Sequence, residues 1–90
     1  MKYKIDDTIL FNYNKPIIGK IIGIHQNFDV YLIGLDNNNV KGWPAKILCK
    51  DDYMELSKNI INYPYMWNIS EEEIIQKENI KENIINFDVL

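Results

Sequence analysis

His25 is the one histidine and Cys49 the one cysteine of the chain, so most of the nucleophilic, general-base and soft-metal chemistry open to it would have to pass through these two side chains. His25 begins the polar break His25-Gln26-Asn27, with no Ser or Cys motif beside it, and reads as a loop residue in solvent. Cys49 follows the apolar Ile47-Leu48, where a free cysteine acts as a small buried hydrophobe. A thiolate nucleophile needs a base or a positive environment at hand, and none is evident. A lone cysteine makes no intramolecular disulfide, and the chain lacks any Cys/His spacing of the structural zinc type.

The carboxylates are more numerous but no more suggestive of catalysis. Asp6-Asp7, Asp51-Asp52 and Glu71-Glu72-Glu73 each have a local use at a turn or a helix start, whereas acid–base catalysis needs two carboxyl groups converging with separated pKa values. Gly19, Gly23, Gly34 and Gly42 are scattered and lack the Lys-Ser/Thr ending of a phosphate loop. The expectation is a protein that is not an enzyme, with no catalytic residue, no metal and no cofactor.

Aromatic side chains are the better candidates for contact with a ligand or partner. Tyr3, Phe11, Tyr13, Phe28, Tyr31 and Trp43 fall in the first half, and Tyr63-Pro64-Tyr65-Met66-Trp67 makes a second cluster. From these, Tyr13, Phe28, Tyr31, Trp43, Tyr65 and Trp67 are the candidate binding residues, since Tyr and Trp are favoured at interfaces. The competing role for each is core filler, because a small barrel needs bulky side chains inside it. The second cluster has the further role of pinning the C-terminal region onto the first half.

The elements that must position these side chains follow from periodicity. With 90 residues, 47% of them hydrophobic, the chain supports one core and falls outside the composition of disordered segments. Thr8–Tyr13 places Ile9, Phe11 and Tyr13 on one face of a strand. Ile17–Ile24 is a second strand whose Gly19 and Gly23 predict a bulge or sharp bend. Residues 28–35 form a third, joined through the turn Asp36-Asn37-Asn38-Asn39 to Val40–Trp43 as a hairpin over 28–43. Pro44 stops that run, and Ala45–Leu48 closes the unit.

Three local features carry a family resemblance: Ile5-Asp6-Asp7-Thr8-Ile9 before the first strand, Gly19-Lys20-Ile21-Ile22-Gly23-Ile24 in the bent second strand, and Gly42-Trp43-Pro44-Ala45-Lys46-Ile47-Leu48 at the last turn. In these the N-terminal half resembles an SH3-like small barrel of the Tudor and chromo type. The resemblance implies a barrel over residues 1–50 with a groove or cage lined by loop-tip aromatics, for which Tyr13, Phe28 and Trp43 stand in position.

Beyond Cys49 the pattern predicts helices. Asp51–Ile61 has acidic residues at its start, which favour a helix N-terminus. Ser70-Glu71-Glu72-Glu73 has the form of a capping box and predicts a helix over 71–85 with Ile74, Ile80, Ile84 and Ile85 on one face. The expected fold is therefore mainly β with C-terminal α: an SH3-like barrel followed by a helical extension over 51–90, packed on the barrel or on a second copy of the chain through the C-terminal helix.

Charge narrows the partners. The net charge is −3 and all 10 basic residues are lysines, so the bidentate fork of Arg for phosphate and guanine is missing and nucleic acid is the least favoured partner. The Ile, Asn and Lys content fits an AT-rich gene, as in low-GC bacteria and their phages. The charged N-terminus and the lack of a long apolar run point to a cytoplasmic protein away from membranes. The leading expectation is a protein-binding module, an accessory or inhibitory protein of a phage or mobile element acting on a host protein. The alternatives are a nucleotide-binding or sequestering protein using Lys15, Lys20 or Lys41 for charge, and a nucleic-acid-binding SH3-like domain.

Overall fold

Alternation of apolar and polar residues starts the architecture. In β1 (Thr8–Tyr13) Ile9 and Phe11 are fully buried, whereas Asn12 is exposed. A computed structural model describes residues 2–27, 29–35 and 50–78. Asn14 takes a left-handed backbone, φ 62°, which lets β2 (Lys15–His25) fold straight back with Tyr13 opposite Lys15. Asn is among the few residues that adopt this conformation at low cost. The break expected at Asn14-Lys15-Pro16 is thus a single residue wide.

β2 is the bent spine of the sheet. Its first half pairs with β1, and from Lys20 onward it pairs with β3 (Val30–Leu35). The register against β3 slips between Ile21 and Gly23, leaving Ile22 as an extra residue. Such a bulge shifts the alternation by one position. Ile17, Ile21 and Ile24 therefore all enter the inner core, whereas Ile22 turns to the outer face. The bend expected from the two glycines falls at this point.

The region after Cys49 departs from its expected helical form, and the reason is tertiary. Among the described residues it contains no α-helix. A 3-10 turn at Lys50–Asp52 leads into β4 (Tyr53–Leu56), which pairs antiparallel with the end of β2, Gly23 opposite Leu56 and His25 opposite Tyr53. A helix over 51–61 would be short and marginal alone, while the strand form gains a backbone ladder and packs the half-buried Leu56 against the Ile22 cluster.

The same competition decides the predicted helix over 71–85. Ser70 and Glu73 do interact as a cap, with Ser70 N donating to Glu73 Oε1 at 3.2 Å and Ser70 Oγ at 3.0 Å. The cap opens only the 3-10 turn Glu71–Glu73, after which Ile74 is extended (φ −82°, ψ 125°) and starts β6 (Ile74–Lys77). β-Branched Ile74-Ile75 suits a strand, and β1 offers an open edge on which Ile74 lies opposite Phe11. Ile80, Ile84 and Ile85 lie outside the described residues, as do Ala45–Leu48 and the part of the 28–43 hairpin beyond Leu35.

The sheet runs β5-β3-β2-β1-β6, where β5 is Tyr65–Ser70, with β4 attached to β2 off this path. Strands from both sides of residue 50 share this one sheet. Its inner side holds the main core, including Ile9, Phe11, Ile21, Tyr31 and Ile33, each fully buried. Its outer side carries a second, smaller cluster, Ile22, Leu32 and Met66, covered by Tyr53, Leu56, Ile60 and Tyr63.

Candidate functional site

Tyr31 lies at the bottom of the inner core, with no exposed surface. Its hydroxyl donates to Glu71 Oε1 at 2.7 Å, and the same oxygen receives Lys2 N at 3.2 Å. The Tyr3 ring meets Tyr31 edge-on, 5.7 Å between centroids and 80° between planes. This network ties the N-terminal segment, β3 and the Glu71–Glu73 turn together. Burial, followed by the bond to Glu71, pushes the Tyr31 hydroxyl from 10.0 up to about 12. The Tyr31 hydroxyl in turn holds the Glu71 carboxyl below its usual range. With its ring enclosed and its hydroxyl engaged, Tyr31 serves as core in this structure.

The other candidate aromatics separate by location. Tyr13, at the end of β1, and Tyr65, at the start of β5, are half-buried against the edge of the inner core. Trp67 is 42% exposed. Tyr65 and Trp67 stand two residues apart on β5, opposite Leu35 and Ile33, so the strand period puts them on one face. Phe28 and Trp43 lie outside the described residues. β5 therefore brings together two of the six candidates.

The surroundings of β5 matter as much as its side chains. It pairs with β3 on one side, and among the described residues nothing pairs with its other side. Near its end lies a depression of about 270 Å³ lined by Asp29, Ser70, Glu71 and Glu72, an acidic boundary to an otherwise uncharged strand.

Sequence reasoning passed over a second surface, on the outer face of β2. Ile18 is 52% exposed and lies between two adjoining depressions. One, of about 230 Å³, includes Thr8, Lys20 and Tyr63; the other, of about 350 Å³, includes Lys15 and Pro16. The signal was available in the two-residue period, which sets Ile18 opposite in phase to Ile17 and Gly19.

His25 and Ser57, two further groups able to do chemistry, have structural partners. His25 is the half-buried last residue of β2, edge-on to Tyr53 at 5.7 Å, and its Nδ1 accepts from Asn27 N at 3.2 Å. Ser57, 4% exposed, donates to Asp6 Oδ1 at 2.7 Å and accepts from Asn59 N. Among the described residues no three His, Cys, Asp or Glu side chains converge as a metal site, and no helix is long and apolar enough to cross a membrane. Cys49 and Lys41 lie outside the described residues. Comparison with protein-family models, curated proteins and solved structures finds no match.

Proposed function

We propose that the chain is a non-enzymatic, cytoplasmic protein-binding module of SH3-like design that takes an extended segment of a cellular protein on the open edge of β5. The SH3-like part of this reading is supported by the consecutive antiparallel order of β1, β2 and β3 and by the bulge in β2.

The observation that carries the binding reading is the contrast among the three strand edges that stay unpaired among the described residues. β4 and β6 are four residues long and carry Glu55 and Lys77, the latter 3.3 Å from Asp7. Short length and charge are the usual protection of a sheet edge. β5 runs six residues, Tyr-Met-Trp-Asn-Ile-Ser, with no charge at all. An edge of this kind accepts an added strand, whose backbone supplies affinity while alternate side chains supply specificity. Tyr65 and Trp67 would receive those side chains. The carboxylates of Asp29, Glu71 and Glu72 near the strand's end favour a Lys or Arg at one end of the segment.

Selection of displayed 12-residue peptides against the full chain tests this. Expected are alternating apolar sequences bearing a basic residue at one end, with binding lost when single backbone nitrogens at alternate peptide positions are methylated. Selected peptides indifferent to N-methylation, or the absence of any binder, would overturn strand addition. The nucleotide and nucleic-acid alternatives draw on Lys15 and Lys20, which lie on the other surface, around Ile18.

A further inference from the structure

Independently of the β5 edge, we infer that the outer face of the β1–β2 hairpin is a second interaction surface, built for an acidic segment of a partner protein that inserts an apolar side chain beside Ile18. The outer side of the sheet is treated in two ways along the length of β2. Around Ile22 and Gly23 it is roofed by Tyr53, Leu56, Ile60 and Tyr63. Around Ile18, among the described residues, this roof reaches only as far as Tyr63, which lines the first depression.

Ile18 is about half exposed where its neighbour Ile22 is fully buried. Its cross-strand partner on the same face is the half-buried Leu10, and Thr8 faces Lys20 in the same way. The result is an apolar floor in a molecule of net charge −3 that carries cations at both ends, Lys15 in one depression and Lys20 in the other. Among the described residues the one ion pair is Lys77 with Asp7, so neither Lys15 nor Lys20 is paired with a described carboxylate.

Charge complementarity selects the occupant. Two lysines flanking an apolar floor match a segment with carboxylates on either side of a Leu, Ile or Phe. A free nucleotide or phosphate is a poorer match, because compact anion sites converge several donors, commonly backbone N–H groups, on one point, and here the two ammoniums lie in separate depressions. Nucleic acid would need a longer run of cations.

The test is a titration of the full chain, labelled with ¹⁵N, with three synthetic peptides that share a central Leu and carry flanking Asp, Ser or Lys residues. The Asp peptide is expected to bind and to shift the amide signals of Thr8, Ile18, Lys20 and Tyr63. Joint Lys15→Glu and Lys20→Glu substitution should weaken it about tenfold or more, as should raising salt from about 50 to 500 mM, since exposed charge contacts are screened. Ile18→Ser should weaken it with both lysines intact. Overturning results are equal binding of the Ser or Lys peptide, shifts centred on Tyr65–Ser70, no binding of the Asp peptide, or binding of ATP or inorganic phosphate at this face in its place. Shifts confined to Tyr65–Ser70 would leave the β5 reading standing while removing this one.

Discussion

The two sides of the sheet are packed by different means. On the inner side, five residues from β1, β2 and β3 reach complete burial, and the core is assembled by strands that are already hydrogen-bonded neighbours. On the outer side, Ile22, Leu32 and Met66 are buried by a separate stretch, residues 53–63, whose own covering side chains stay partly exposed. The inner core thus defines the fold, and the outer cluster is an addition attached through β4 and two 3-10 turns. This difference predicts that equal chemical insults will cost more inside than outside.

The largest effect should come from Phe11→Ala. Removing a fully buried ring between Ile17 of β2 and Ile74 of β6 costs about 3–5 kcal/mol, a large part of the roughly 5–15 kcal/mol that holds a small domain together. Urea unfolding should show a strongly lowered midpoint or no folded baseline. A loss below about 1 kcal/mol would mean that the interior collapses around the gap, contrary to the close packing inferred for it.

Two glycines sharpen the comparison because the same substitution probes both sides. A Cβ on Gly19 would lie 2.6 Å from Ile33 Cγ2 and 3.0 Å from Phe11 Cε1, inside the inner core. A Cβ on Gly34 would lie 2.7 Å from the Tyr63 ring and 2.9 Å from Ile22 Cδ1, on the outer side. Overpacking costs about 1–3 kcal/mol where neighbours are fixed. Gly19→Ala belongs at the upper end, since its neighbours are boxed in. Gly34→Ala belongs below it, because its closest neighbour, Tyr63, is only half-buried, although Ile22 beside it is fully buried. Tyr63→Ala should rescue Gly34→Ala in a double-mutant cycle and leave Gly19→Ala unimproved. Equal costs at the two glycines would erase the distinction.

The inner side was legible and the outer side was not, for a physical reason. Ile9, Phe11, Tyr31 and Ile33 follow the two-residue period, so their strands and shared face could be read directly. Even the bend in β2 was signalled by its glycines. After residue 50 two of the three strands are too short for their own periodicity to decide: Tyr53–Leu56 and Ile74–Lys77 are four residues each. Their acidic starts look helical, and an edge of an existing sheet overrides that preference. Ser70 and Glu73 show the limit most clearly, since the cap is real but a local cap cannot decide whether a helix or a strand comes after it. For the candidate site, periodicity pairs Tyr65 with Trp67 once the strand is known, yet it could not separate the enclosed Tyr31 from the exposed Trp67. The Ile18 surface was missed because exposure there depends on where the roof from residues 53–63 ends.

A smaller effect is expected where the inner core meets the N-terminal segment. Tyr31→Phe removes the hydroxyl from Glu71 and should cost about 1.5–2 kcal/mol, the low end for hydrogen bonds to charged groups. The pH dependence separates the two partners. Glu71 is held low when folded, so its contribution is complete above its ordinary value of about 4.3 and fades as pH falls through the lower folded value. Tyr31 is raised to about 12, so its contribution is complete below about pH 10 and fades from there to about pH 12. Glu71→Gln should flatten the acid side of the stability profile, and Tyr31→Phe should flatten both sides. An unchanged acid limb in Glu71→Gln would break the assignment.

The smallest change tests the comparison most finely. Tyr53 Oη donates to Asn68 Oδ1 at 2.7 Å, joining β4 to β5 across the outer side. The pair is exposed, so Tyr53→Phe should lower global stability by no more than about 0.5–1 kcal/mol. If residues 53–63 are an addition, they open as a unit without unfolding the inner core, as cooperative sub-structures do. The backbone bonds that fasten this stretch to β2, Ser57 N to Ile22 O at 2.8 Å and Gln26 N to Asp52 O at 2.9 Å, are then the ones to watch. Hydrogen exchange in Tyr53→Phe should speed up at Gln26, Leu56 and Ser57 and stay unchanged at Ile21 and Ile33, whose amides report the inner core. Were all these amides to accelerate together, the two sides would form one cooperative unit, and the outer cluster would have to be counted as part of the fold.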